Sequence, residues 1–264
     1  MSANETADNL EASRAPFVEH LRELRNRLII SIIAIVIGFL IAWNWREEVF
    51  LMLLEPLKIA AAGSSDGQIY HRDITESFFV LLKTSLFSGV IIAIPVIMYQ
   101  IWLFIAPGLY ANERRTAIPF VVFSTICFLG GGWFCYKLIL PFAYEFLLAF
   151  ASDVSQPQLM MQEYLSVTTK LILAFGAIFE MPIITTFLAK MGVVNHMMML
   201  RFWRYAVVIC FIVGAMLTPP DLISQVMLAG PMMLLYFISV GCAYIFGPRG
   251  DQLKTQEDSN GETS

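Results

Sequence analysis

Long apolar runs separated by short polar clusters dominate the chain. At a rise of 1.5 Å per residue, about 20 apolar residues in a helix cross a hydrocarbon core of about 30 Å. Six runs reach or approach that length: residues 28–45, 78–105, 117–140, 165–188, 202–217 and 222–246. The fifth is short, amounting to about 24 Å of helix. Only Thr218-Pro219-Pro220-Asp221 separates it from the sixth, so these two runs read as an antiparallel helical hairpin. The pattern predicts an all-α integral membrane protein with six transmembrane helices, the last two spans short. The first run follows 27 mostly polar residues and is long for a signal-peptide core, so it reads as a retained anchor.

The polar segments add detail. Residues 1–16 and 247–264 read as polar tails, with 17–246 as the membrane domain. Phe17, Leu21, Leu24 and Leu28 share one helical face, and Glu19, Arg22, Glu23, Arg25 and Arg27 occupy the others. This is an amphipathic helix feeding the first span. Segments 46–77 and 141–164 are long connections. In the first, the apolar stretch 49–54 is interrupted by Pro56, which predicts short helices lying at the interface.

Composition agrees with a nonaqueous environment. The chain is 58% hydrophobic and 14% charged, whereas soluble domains carry about 25% charged residues. The net charge of −4 matters less than charge placement. With the N-terminus inside, 11 of the 17 Lys and Arg lie in cytoplasmic segments and 3 (Arg46, Lys58 and Arg72) on the opposite side. The bias predicts both termini in the cytoplasm. Lys83, Lys137 and Lys170 sit near span ends, where long side chains snorkel.

Few residues carry candidate chemistry. Cys127, Cys135, Cys210 and Cys242 all lie in apolar runs and read as small buried hydrophobes. His20, His71 and His196 lie outside those runs, and no metal-ligand spacing, P-loop or nucleophile motif occurs. Neither a cofactor nor a metal is expected. Glu23 is placed for an i,i+4 ion pair with Arg27, or for binding a cationic ligand. Glu113 is the one acid in a loop whose topology favours bases; it either pairs with Arg114 or Arg115 or serves a ligand. Glu180 lies within the fourth span, where an acid costs roughly 2.5–3.5 kcal/mol to insert. Such a group faces a bundle interior or an aqueous cavity, as a functional residue or an interhelical anchor. Pro182 offers no hydrogen bond to the Ile178 carbonyl, so a break is expected beside Glu180. Gln225, one turn into the sixth helix, has either an intramolecular partner or a neighbouring span.

Six stretches together resemble the TatC family, the multispanning signal-receptor subunit of the twin-arginine protein translocase. They are F-V-E-H-L-R-E-L-R-N-R-L at 17–28, L-L-E-P-L at 53–57 and E-S-F-F-V-L-L-K-T-S at 76–85. P-V-I-M-Y-Q-I-W-L-F-I-A-P-G-L-Y-A-N-E-R-R at 95–115, F-G-A-I-F-E-M-P at 175–182 and T-P-P-D-L-I-S-Q at 218–225 complete the set. They occur in family order. The resemblance implies a glove-like bundle of six helices in the bacterial inner membrane. It implies binding of the twin-arginine signal peptides of folded cargo by Glu23 and Glu113, with Arg25 and Phe104 needed for the same step. It places the family's intramembrane glutamate at Glu180, the contacts for single-span TatA-like and TatB-like subunits at Thr218 and Gln225, and a structural loop proline at Pro56. Homo-oligomers within the receptor complex and transport driven by the proton-motive force are also implied. Nucleic acid is not an expected partner.

Other classes stay open on the residues alone. A secondary transporter would use Glu180 and the span-end lysines as a relay, but no repeat relates the two halves. An intramembrane enzyme needs a nucleophile and base at depth, and the histidines lie elsewhere. A scaffold without a transport role is the third alternative.

Overall fold

The computed structural model describes residues 3–61, 69–70, 74–105, 114–152, 159–217 and 222–247, with side chains over 19–60, 75–105, 118–149, 160–217, 223 and 225–247. It is almost wholly helical, and six of the described stretches are long and apolar enough to cross a membrane. The fold is therefore an all-α membrane architecture, as the runs predict. Two compact units are present, one of residues 1–46 and 82–125 and the other of 47–81 and 126–264.

Helix α1 runs Ala3–Ala42. It begins well before the amphipathic segment, through residues expected as a polar tail. That stretch holds four alanines and no Gly, which favours the helix, and the helix continues through Pro16 all the same. A 3₁₀ turn, Trp43–Trp45, ends it. The Arg46 guanidinium donates to the Trp43 carbonyl at 3.0 Å and lies 4.9 Å from the Trp43 ring centroid, closing an orphan carbonyl of the helix end. Helix α4 spans Ile74–Ile105 and α5 spans Arg114–Phe134. Within the first unit α1 and α4 meet at Gly38 and Gly89, where a Cβ on Gly38 would lie 2.5 Å from the Gly89 carbonyl oxygen. The buried Trp102 indole donates to Ser124 Oγ at 2.7 Å, so its polar edge is satisfied.

In the second unit, α2 (Arg46–Leu53) and α3 (Glu55–Ala61) occupy the long connection after the first span, where short helices are expected. Pro56 falls in the first turn of α3, where its missing N–H costs nothing, and it is fully buried. Two tyrosines secure this corner. The Tyr136 hydroxyl lies 2.7 Å from both the Met52 carbonyl and Glu55 Oε2, and the Tyr164 hydroxyl donates to the Leu53 carbonyl at 2.6 Å. Lys137 Nζ stands 3.5 Å from Glu55 Oε2. Replacing Tyr164 with Phe removes the donor from a buried carbonyl. The expected cost is roughly 1 kcal/mol, read as a lowered thermal midpoint of the purified protein in detergent; an unchanged midpoint would show that this bond contributes nothing net.

The third apolar run ends later than its expected limit at 140. After α5 the chain takes a π-helical turn, Cys135–Ile139, and continues directly into α6, Leu140–Ser152. Pro141 suggests a stop, but the wider turn accommodates it: the Leu140 N–H donates five residues back, to the Cys135 carbonyl. Two residues each of β1 (Ile69–Tyr70) and β2 (Leu159–Met160) pair in parallel, Ile69 with Leu159 and Tyr70 with Met160.

The fourth run is divided. Helix α7 is Met161–Ile178 and α8 is Met181–Lys190. At the junction the Glu180 N–H donates to the Ala177 carbonyl at 3.2 Å, a tighter i−3 bond, and the ladder restarts with Ile183 and Ile184 donating to the Glu180 carbonyl. Gly192, at φ 74°, caps α8, and the Val193 N–H returns to the Leu188 carbonyl at 3.0 Å. Asn195 then opens α9, His196–Leu217, its side chain accepting from the Met197 N–H at 3.4 Å.

Helix α9 has 22 residues and starts before the expected limit at 202. Its first turns carry Arg201 and Arg204, so the uncharged part is 205–217, about 20 Å long. Helix α10 is Leu222–Phe246, within the expected bounds, and the last two of the six span-capable stretches are the shortest, 22 residues each against 30 to 42 for the others. Helix α10 packs against α8 and α9. Buried Cys210, Ala229 and Met232 form a core there, flanked by Ile178, Phe211, Val213 and Met233.

Candidate functional site

The amphipathic part of α1 carries the first group of candidate residues. Glu23 is partly exposed and ion-paired with Arg27 one turn on, through Glu23 Oε1 and Arg27 Nη2. Its other oxygen, Oε2, lies 3.9 Å from His20 Nδ1 one turn back. Helical spacing alone brings these three side chains onto one face. Arg25 points elsewhere: it is exposed and donates to Asn26 Oδ1 at 3.3 Å. The pair with Arg27 is the intramolecular alternative left open by the sequence. A pair of this kind contributes only about 0.3–0.5 kcal/mol, so it does not lock the carboxylate.

Phe104 stands in the last turn of α4, in the same unit. It stacks on His20 with ring centroids 4.4 Å apart and planes at 18°. The structure thus brings Phe104 to the face that holds Glu23, across more than 80 residues of sequence. His20 is the residue that sequence reasoning missed. Its signal was its place one turn before Glu23, but nothing in the pattern named its aromatic partner. Glu113, expected to bind the signal together with Glu23, lies outside the described residues, as does Thr218.

The second unit holds the remaining candidates. Glu180 is 7% exposed, at the α7–α8 break. The interruption expected beside Glu180 is present, at Phe179 and Glu180 between the two helices. Gln225 donates from Nε2 to the Phe211 carbonyl at 2.7 Å, tying α10 to α9 across their hairpin. Gly214 on α9 lies beside Gln225: a Cβ there would be in ordinary contact, 3.5 Å from Gln225 Cγ. The Gln225 amide is therefore engaged within the chain, which is the intramolecular alternative. Pro56 is buried in the tyrosine-secured corner described above. No group of three His, Cys, Asp or Glu suited to a metal occurs among the described residues.

This chain is similar to known proteins along nearly its whole length. The family model for "Sec-independent protein translocase protein (TatC)" matches residues 19–231. A protein of that name from Desulforapulum autotrophicum is 42% identical, over 96% of this chain and 93% of its own. Another, from Aquifex aeolicus, is 44% identical over 85% of this chain and 93% of its own. A crystal structure titled as the twin-arginine translocase receptor TatC is 42% identical, with a TM-score of 0.75 over 85% of this chain and 97% of that one. Family-model coverage, identity and fold agree: this chain belongs to the TatC family of Sec-independent protein translocase components, as a multi-pass membrane protein.

Proposed function

We propose that this chain is the receptor core of a twin-arginine export system of the bacterial inner membrane. It binds the twin-arginine signal peptide of folded cargo through the carboxylates of Glu23 and Glu113, with Phe104 and Arg25 beside them. The observation that carries this reading is the Glu23 carboxylate. It sits partly exposed on an amphipathic helix, weakly paired with Arg27 and bordered by His20, with an aromatic ring pair on the same face. An arginine guanidinium is a rigid fork that meets a carboxylate bidentately, and lysine carries charge without the fork. Arg22, Arg25 and Arg27 lie close to Glu23 in sequence, and Arg114 and Arg115 follow Glu113, so a merely cationic peptide is repelled and selection rests on specific pairing.

The termini lie in the cytoplasm in this reading, which puts Glu23 and Glu113 on the side where cargo folds. Single-span TatA-like and TatB-like subunits dock near Thr218 and Gln225, further copies of the chain join the receptor complex, and the proton-motive force drives transport. The short uncharged part of α9 favours a locally thinned bilayer that eases passage.

Cross-linking of paired signal peptides to the membrane-embedded protein tests the receptor reading. A twin-arginine signal is expected to cross-link several-fold more strongly than its Lys-Lys counterpart. Equal yields would mean that charge alone is read, and the fork argument would fall. Purified protein that moved an ion or solute in vesicles without partners would favour the transporter alternative instead.

A further inference from the structure

We propose that His20 is a positioning residue of the signal site, through which Phe104 acts on Glu23; the inference rests on the receptor reading above. Three observations support it. The imidazole stacks on Phe104 at 4.4 Å and 18°. Its Nδ1 lies 3.9 Å from Glu23 Oε2. Its side chain is 52% exposed, so without the stack little else would restrict its rotamer. Phe104 comes from the end of α4, whereas His20 and Glu23 share α1. The stack is therefore a contact that joins the two helices at the site.

The carboxylate is bracketed along its own helix. Arg27 engages Oε1 from one turn after Glu23, and His20 borders Oε2 from one turn before. A guanidinium that binds both oxygens needs the carboxylate plane held in a defined orientation. With His20 fixed by Phe104, Oε2 has a fixed neighbour. With the ring free, Glu23 samples more rotamers, and each binding event must order it again. Substitution of Phe104 would then weaken signal binding with no direct contact between Phe104 and the peptide.

A double-mutant cycle on the full-length protein in lipid nanodiscs tests this, with affinity for a synthetic twin-arginine signal peptide as the readout. His20→Ala is expected to weaken binding roughly two- to tenfold, the range of an aromatic pair. The His20→Ala/Phe104→Ala double variant should bind no worse than the weaker single variant, because both remove one contact. His20→Phe keeps the stack and should recover most of the affinity, with the thermal midpoint unchanged throughout. Additive losses, wild-type affinity in His20→Ala, or a His20→Phe variant as weak as His20→Ala would each overturn the proposal. Wild-type protein that fails to bind the peptide would overturn the receptor reading and this inference together, whereas the other adverse outcomes overturn this inference alone.

Discussion

Replacing Glu23 with alanine is expected to abolish export of a folded reporter that carries a twin-arginine signal, while the protein still reaches the membrane. A hydrogen bond to a charged partner contributes about 1.5–3 kcal/mol, which is roughly 10- to 150-fold in affinity. The variant also leaves Arg27 without its carboxylate, so the site changes from a balanced pair to a bare cation facing an arginine-bearing ligand. Both effects act in the same direction. Glu113→Ala is expected to give a comparable loss if each carboxylate holds one arginine of the signal. The measurement is export in cells lacking the native protein, with membrane levels and signal cross-linking followed in parallel. Normal insertion with failed cross-linking would locate the site. Normal export by both variants would leave the protein an exporter whose signal site lies elsewhere. If wild type itself supports no export, the receptor function is wrong and solute transport is the next assay.

The sequence showed the spans readily because the requirement behind them is blunt. A helix in hydrocarbon must be apolar over about 20 residues, and each of the six runs states this in a single stretch of chain. The break beside Glu180 was legible for a similar reason. Pro182 removes one donor at a known offset, and the ladder tightens there as the missing N–H requires. Local rules failed where two effects compete. Pro141 argued for a stop, but a π turn at Cys135–Ile139 carried the helix past it into α6. The fifth span is expected to begin at 202, yet the Asn195 cap starts the helix earlier and takes Arg201 into it. Contacts distant in sequence left no trace in the pattern. The pairing of His20 with Phe104, and of Tyr164 with the Leu53 carbonyl, depends on how helices meet. Resemblance could name Phe104 as a site residue, but it could not say that the ring touches a histidine one turn from Glu23.

The helix crossing in the first unit sets the second large effect, this one on the fold. Gly38→Ala is expected to destabilise the protein by about 1–3 kcal/mol, the usual cost of forcing a methyl group into a packed contact. The added Cβ would stand 2.5 Å from the Gly89 carbonyl oxygen and 3.1 Å from its Cα. These are backbone atoms, which cannot rotate out of the way as a side chain would, so α1 or α4 has to move. Gly89→Ala meets the same obstacle from the other side, at 2.5 Å from the Phe39 nitrogen. Because the two clashes belong to one crossing, separating the helices for the first relieves much of the second. The double variant should therefore lose clearly less than the sum of the two single losses. Gly130→Ala is the control. Nothing lies within 4 Å of its Cβ position in α5, and an interior helical glycine costs roughly 0.5–1 kcal/mol relative to alanine. It should be neutral or slightly stabilising. Thermal midpoints in detergent, with membrane yield alongside, separate these cases. Additive losses at Gly38 and Gly89 would mean that the two positions are strained independently, and near-neutral single variants would mean that the helices do not cross this closely in the membrane.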